Sequence, residues 1–206
     1  MTLVDLEAFR ATQLVREPFD HLVVTGMLRP SASSAIRADF PEIREYGLLP
    51  AAAVKGGPSF HALLDEIRSD EFSAAFSEKF GLDLAQYPLM ITVRGRCRAV
   101  DGRIHTDSED KVVTALLYLN DGWSAEGGNL RLLRNPQNID DVIAEVPPRA
   151  GTLVAFRRTD CSWHGHKPFE GERRYVMFNW MRHALAARRE VARHHLSTWF
   201  KRLAHG

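Results

Sequence analysis

The sequence lacks the features of a membrane or secreted protein. It contains no apolar run of the roughly 18 to 20 residues that a membrane-spanning helix needs. Its first seven residues are acidic and amphipathic, whereas a secretory signal begins with a basic region followed by an apolar run. We therefore expect a cytoplasmic protein that has no membrane partner.

Cysteine and net charge are also scarce. The two cysteines, Cys97 and Cys161, form no close-spaced metal motif. In a reducing compartment we expect two free thiols, with a disulfide as the alternative. The formal net charge of +1 gives no reason to expect nucleic-acid binding, and nothing in the composition sets an oligomeric state.

The hydrophobic pattern changes once, near residue 88. Before that point helical periodicity dominates, over residues 3–15, after Pro30 and over residues 59–80, where Gly81 is a stop signal. A short strand is predicted at residues 22–24. After residue 88 come short strands separated by turns. They are predicted at residues 89–94, 112–119, 130–133, 142–146, 152–156 and 175–181.

This pattern predicts a single α+β domain over residues 1–206 with a mainly β core. Many short strands without helices between them favour a sandwich, barrel or jelly roll over a parallel sheet. We expect residues 1–87 to form helices packed on one sheet and residues 88–181 to form the core. Residues 182–206 are predicted to add a C-terminal helix whose apolar stripe packs on the core and whose basic side faces water.

The segment from Arg103 to Asp107 carries the strongest chemical signal. In a strand, His105 and Asp107 would point to the same side, so that one metal could bind both. A third ligand must come from a distant strand, and His164 is the candidate, with His166 as an alternative of the same strand parity. Two histidines and one carboxylate on one face of a metal are typical of non-haem Fe(II) oxygenases, because open positions remain for co-substrate and O2.

Several motifs around these residues occur in a characteristic order. Residues 117–123 read LYLNDGW, residues 126–130 read EGGNL, and residues 148–156 read PRAGTLVAF. Pro168, Gly171 and the run from Arg173 to Tyr175 follow His164. The ordered set resembles the prolyl-4-hydroxylase-like branch of the 2-oxoglutarate/Fe(II) oxygenases, over roughly residues 88–181.

The resemblance implies a double-stranded β-helix and a hydroxylating dioxygenase that uses Fe(II), 2-oxoglutarate and O2. It implies that His105, Asp107 and His164 bind the iron. Arg174, ten residues after His164, takes the place of the basic residue that pairs with the far carboxylate of 2-oxoglutarate. Arg173 is the competing choice.

Three further residues are predicted to line the co-substrate pocket. Tyr118 matches a tyrosine that donates to the same carboxylate in this branch of the family. Strand alternation places Thr114 on the face of Tyr118 and Trp180 on the face of Arg174. Ordinary core packing is the alternative explanation for Tyr118 and Trp180.

One departure from the family concerns the substrate. Many relatives have a tyrosine several residues before the first iron-binding histidine, and this chain has Arg94, Arg96 and Arg98 in that neighbourhood. These arginines could meet an anionic substrate, or they could form a solvated strand face. The primary substrate, a small molecule or a peptidyl proline, is not determined by the sequence.

Two other functions remain open at this point. One is a cupin-like iron dioxygenase that does not use 2-oxoglutarate, in which Arg174 would have no obligatory partner. The other is a non-enzymatic jelly-roll binding protein with a vestigial metal site, which the presence of all three ligands argues against.

Overall fold

The structure, a computed structural model, describes residues 2–184. The C-terminal helix predicted for residues 182–206 lies essentially outside the described residues. No helix within residues 2–184 is long and apolar enough to cross a membrane.

Four α-helices, two short 3-10 helices (Ala51–Ala53 and Leu84–Gln86) and nine strands make up the described residues. The α-helices are α1 (Leu6–Ala11), α2 (Pro30–Ala38), α3 (Pro58–Ile67) and α4 (Asp70–Phe80). The strands are β1 (His21–Val24), β2 (Leu49–Pro50), β3 (Leu89–Cys97), β4 (Lys111–Tyr118), β5 (Leu130–Leu133), β6 (Val142–Val146), β7 (Leu153–Arg157), β8 (His164–Gly165) and β9 (Gly171–Met181).

The sequence predicted one helical segment over residues 59–80, and the structure divides it into α3 and α4. The break is at Ser69, whose Oγ accepts a hydrogen bond from the backbone N–H of Phe72 at 3.2 Å and so caps α4. Gly81 ends α4 in the left-handed conformation, with φ of 65°, as expected for a glycine stop signal.

The strands form two sheets in which every strand pairing is antiparallel. The larger has the order β1-β7-β4-β9-β3-β2, and the smaller has the order β6-β5-β8. This mixed, mainly β architecture is consistent with the jelly roll of the 2-oxoglutarate oxygenases. It excludes the parallel sheet that would have removed the basis for the metal prediction.

The central strand β9 presents opposite faces to two different environments. Phe178 and Trp180 face the helices, where the Phe76 ring lies 5.7 Å from Phe178 and 4.9 Å from Trp180. Arg173, Tyr175 and Met177 face the other side of the sheet and line a cavity. The prediction that Trp180 walls the site is therefore wrong, because strand alternation places this fully buried ring in the core beneath α4.

We expect Phe76→Ala to destabilise the protein by about 3–5 kcal/mol, because it leaves a cavity between α4 and β9. The measurement is the free energy of unfolding from a denaturant titration. Val100→Ala is the control, since Val100 is 61% exposed. That variant should stay within about 0.5 kcal/mol of the parent. Equal losses for the two variants would contradict this description of the core.

Candidate metal centre

His105 and His164 face each other across an isolated antiparallel bridge. Each backbone N–H donates to the other residue's carbonyl at 3.0 Å. The two rings consequently lie side by side, with centroids 4.3 Å apart. The segment around His105 is otherwise irregular, so this bridge, and not the regular strand assumed from the sequence, positions the first histidine.

Both histidines present the same ring nitrogen to the space between them. Nδ1 of His105 is 2.8 Å from the carbonyl of Arg103, and Nδ1 of His164 is 3.0 Å from the carbonyl of Ser162. A carbonyl can only accept, so each Nδ1 carries the proton and each Nε2 is left as a lone-pair donor. Burial lowers the pKa of His164 to about 4, so this ring is neutral at physiological pH.

Asp107 completes the cluster as a buried carboxylate. Burial by itself raises the pKa of Asp107, but Lys111, His164 and the hydroxyl of Thr114 outweigh it and hold the pKa well below its usual range. The Lys111 ammonium lies 2.8 Å from Asp107 Oδ1. The carboxylate is therefore ionised and ready to act as a ligand.

Ligand atoms of His105, Asp107 and His164 all lie within 4.8 Å of one another. Two imidazole nitrogens and one carboxylate oxygen this close together suit a non-haem Fe(II) ion with open positions. The donor set therefore fits the predicted metal. His166 does not join this cluster, and its Nε2 lies 3.7 Å from Cys97 Sγ.

Thr114 orients the carboxylate of Asp107. Its Oγ1 lies 2.6 Å from Asp107 Oδ2 and 2.9 Å from the side-chain amide of Asn179. A hydroxyl has one proton, which Thr114 donates to the charged oxygen. The Asn179 amide is best turned so that Nδ2, buried and otherwise without a partner among the described residues, donates to Thr114.

The sequence reasoning missed Lys111 and Asn179. Lys111 reaches Asp107 through a turn in which its N–H donates to the carbonyl of Ser108, and nothing in the sequence marks that turn as part of the site. Asn179 did have a signal, because it is a polar residue within an apolar strand. Such a residue is buried only with a hydrogen-bonding partner.

A cavity of about 440 Å³ opens beside the three ligands. Three cations and two carboxylates are among its lining residues: Arg94, Lys111, Arg173, Asp101 and Asp107. Asp107 pairs with Lys111 and Asp101 pairs with Arg94. Arg173 is held instead by neutral acceptors, the carbonyl of Gly128 at 2.8 Å and Tyr118 Oη at 3.1 Å.

The position beside the cavity belongs to Arg173 and not to Arg174, which corrects the sequence prediction. The Arg173 residue is 2% exposed, and its guanidinium lies over the rings of Tyr118 and Tyr175. Arg174 points to the opposite face of the strand, where its side chain is 38% exposed and pairs with Glu172 at 2.8 Å. An offset from His164 alone could not distinguish two adjacent residues that face opposite sides.

Tyr118 lies behind Arg173 and is fully buried. Burial raises the pKa of Tyr118 to about 12, so its hydroxyl stays protonated. Because Arg173 Nη2 donates to the Tyr118 oxygen, the hydroxyl proton remains available for an acceptor. The structure thus brings together the three predicted ligands and Thr114, and it places Tyr118 next to them through its contact with Arg173.

Comparison with known proteins agrees with this geometry. Residues 97–182 match the family model described as the 2OG-Fe(II) oxygenase superfamily. No curated protein matches the sequence. Among solved structures, a prolyl-4-hydroxylase from Pseudomonas putida is 22% identical with a TM-score of 0.56, covering 80% of this chain and 93% of its own.

Two further solved structures share the fold. A prolyl 4-hydroxylase from Phytophthora capsici is 22% identical with a TM-score of 0.54, covering 89% of this chain and 67% of its own. HygX from Streptomyces hygroscopicus, solved with nickel and 2-oxoglutarate bound, is 17% identical with a TM-score of 0.55. That alignment covers 82% of this chain and 86% of HygX.

The fold and the cluster of two histidines and one carboxylate define a non-haem iron oxygenase of the jelly-roll class. The family model that matches residues 97–182 describes the 2OG-Fe(II) oxygenase superfamily, whose members need Fe(II), 2-oxoglutarate and O2, and the cluster of ligands lies within this segment. The resemblance drawn from the sequence motifs is confirmed.

We expect Lys111→Met to destabilise the metal-free protein by about 3–5 kcal/mol at pH 7, because Asp107 is then a buried charge without its cation. The difference should stay nearly constant down to about pH 4 and shrink below it, where Asp107 of the variant takes up a proton. In the parent, the lowered pKa of Asp107 keeps the carboxylate ionised to lower pH, so the stabilising contribution of the Asp107–Lys111 pair persists there. The measurement is the free energy of unfolding across this range.

The control for Lys111→Met is Lys167→Met. Lys167 also lies 2.8 Å from a carboxylate oxygen, that of Asp140, but the two side chains are 43% and 59% exposed. Such a pair contributes about 0–1 kcal/mol. A loss for Lys111→Met no larger than that of the control would show that the buried pair is not structurally important.

We expect Thr114→Val to weaken Fe(II) binding by roughly tenfold or more, because Asp107 loses the hydrogen bond that orients it. Thr114→Ser keeps the hydroxyl and should retain most of the affinity. Anaerobic Fe(II) titration of both variants gives the comparison. Equal affinities for the valine and serine variants would rule out an orienting role for the hydroxyl.

Proposed function

We propose that this chain is an Fe(II)- and 2-oxoglutarate-dependent dioxygenase that hydroxylates its substrate and releases succinate and CO2. The observation that carries the proposal is one cavity that combines a ligand set for Fe(II) with a buried arginine whose hydrogen-bond partners are neutral. The first feature suits the metal, and the second suits the carboxylate of the co-substrate.

His105, Asp107 and His164 would hold the iron through the two Nε2 atoms and a carboxylate oxygen. Fe(II), when bound with 2-oxoglutarate, supplies the activation of O2 that oxidises a substrate C–H bond. Lys111, Thr114 and Asn179 keep Asp107 ionised and oriented. The walls formed by Leu116, Leu130 and Met177 give the site an apolar side that limits access of water.

Arg173 would bind the far carboxylate of 2-oxoglutarate. A buried cation is costly unless it is paired, and this guanidinium has only neutral partners. Tyr118 and Gly128 fix its orientation by accepting hydrogen bonds from the guanidinium. A cupin-like dioxygenase without 2-oxoglutarate would leave Arg173 without an anion, so the structure favours the superfamily's co-substrate.

The substrate is proposed as either a small molecule or a peptidyl proline. Two of the similar solved structures are named as prolyl hydroxylases, which supports peptidyl proline. The cavity volume of about 440 Å³ lies in the range of roughly 300–1,000 Å³ that is typical of small-molecule sites.

The chain would form one oxygenase domain in the cytoplasm. Residues 2–87 would support the sheet and residues 88–181 would form the catalytic core. Cys97 and Cys161 are both free thiols, which suits a reducing compartment.

The test is the binding of 2-oxoglutarate to the Fe(II) protein without oxygen, followed through the weak visible charge-transfer band of the chelate. Arg173→Gln should weaken 2-oxoglutarate binding by more than roughly a hundredfold, because a buried charge pair is broken. Tyr118→Phe removes one neutral hydrogen bond and should cost about 1 kcal/mol, or roughly fivefold.

Arg174→Gln is the matched control, since this neighbouring guanidinium faces away from the cavity. It should bind 2-oxoglutarate as the parent does. Fe(II) binding should be preserved in every variant, which shows that each is folded. Absence of the band in the parent protein would remove the proposed function, and normal binding by Arg173→Gln would remove the role of Arg173.

A further inference from the structure

The three arginines that precede the iron-binding segment point in different directions. Strand alternation alone would place Arg94 and Arg96 on the same face. The pairing of β3 with β9 shifts register between these two residues, which is the signature of a β-bulge. Arg94 consequently lines the cavity beside the metal ligands, whereas Arg96 lines a separate groove on the outer surface with Arg174.

Arg94 is incompletely satisfied in the ligand-free protein. Its Nη1 lies 3.3 Å from Asp101 Oδ2, which is long for a guanidinium–carboxylate hydrogen bond, and 3.3 Å from Cys97 Sγ, which is a weak acceptor. Nε of Arg94 is buried and has no partner among the described residues. Buried donors are nearly always hydrogen-bonded, so this side chain lacks an acceptor.

Asp101 only partly neutralises Arg94. The same carboxylate also accepts a hydrogen bond from the backbone N–H of Arg98 at 3.0 Å and lies 3.8 Å from the Arg98 guanidinium. One negative charge is thus shared between two cations. Lys111 is paired with Asp107, so the positive excess of the cavity lies on Arg94 and Arg173.

Arg94 and Arg173 lie at different depths. Tyr175 is in register with Tyr118 of β4 on one side and with Arg94 of β3 on the other. The main-chain positions of Arg94 and Tyr118 are therefore two strands apart, on the order of 10 Å across the sheet, whereas Arg173 lies on β9 next to Arg94. The Arg94 side chain is 14% exposed, whereas the Arg173 residue is 2% exposed. Arg173, the more buried of the two, suits the co-substrate, and Arg94, the more exposed, remains available to a second ligand.

We propose that Arg94 binds a carboxylate group of the primary substrate, so that the enzyme hydroxylates a small carboxylic acid. This inference rests on the proposed function, because it assumes that 2-oxoglutarate occupies Arg173. A carboxylate matches the geometry of a guanidinium and supplies the acceptor that Arg94 lacks. An internal peptidyl proline carries no such charge, so the proposal favours a free acid over an internal residue of a peptide chain.

The experiment uses the protein loaded with Fe(II) and 2-oxoglutarate without oxygen. The probes are free amino acids, N-acetyl amino acids and short aliphatic carboxylic acids, each paired with its primary amide. Binding is followed through the change in the charge-transfer band. We expect at least one acid to bind, with its amide roughly tenfold weaker or more, because the amide loses the charge-assisted contact.

Arg94→Gln should abolish this preference for acid over amide while changing the affinity for 2-oxoglutarate less than about threefold. Arg94→Lys keeps the charge and should retain part of the preference, which guards against a variant that fails only because its packing is disturbed. Arg96→Gln, on the same strand but facing the outer groove, should behave as the parent does.

Three results would overturn the proposal. One is a parent protein that binds none of the acids although its 2-oxoglutarate band is normal. Another is an acid preference that survives in Arg94→Gln. The third is a loss of 2-oxoglutarate affinity in Arg94→Gln comparable to that in Arg173→Gln, which would assign Arg94 to the co-substrate. Absence of the band in the parent would instead overturn the proposed function.

Discussion

The two backbone hydrogen bonds between His105 and His164 hold the site together. They join an irregular segment that precedes β4 to the two-residue strand β8, which belongs to the smaller sheet. Because both hydrogen bonds are made by the main chain, they hold the two residues side by side whether or not a metal is bound. The Nδ1 contacts to Arg103 and Ser162 then set the rotation of each ring, so the ligand atoms converge before any ion is bound.

The second constraint is the cost of placing charge inside the fold. Asp107 stays ionised in a buried position largely because Lys111 and Thr114 contact its two oxygens. Arg173 and Arg94 are also buried charges, but neither is fully neutralised. The partners of Arg173 are neutral, and Arg94 shares the carboxylate of Asp101 with Arg98. Unpaired buried cations are expensive, so these two arginines indicate where anions belong.

Strand β9 shows how one period-two pattern serves stability and chemistry together. Phe178 and Trp180 pack on α4, while Arg173 and Tyr175 face the cavity. A shift of one residue would exchange the two sets. Arg174 and Trp180 were both predicted from the sequence to line the cavity, and both lie on the opposite face of β9 because they have the same strand parity.

The sequence by itself determined the change from helical to β texture, seven of the nine described strands and the three metal-ligand candidates, but not the two-residue strands β2 and β8. Each depends on local periodicity or on a motif, and local patterns are visible without coordinates. Residues 130–133 and 142–146 form strands with the predicted bounds. Of the predicted pocket residues, Thr114 lines the cavity and Tyr118 contacts Arg173.

Only the tertiary structure decided which of two neighbouring arginines enters the cavity, and which of Arg94 and Arg96 does. The first choice depends on the face of β9, and the second on a bulge in β3 that interrupts strict alternation. The tertiary structure also brought Lys111 to Asp107 through a turn, and Asn179 of the neighbouring strand β9 to Thr114. Register and bulges are set by contacts between segments distant in the chain, and a one-dimensional pattern does not contain them.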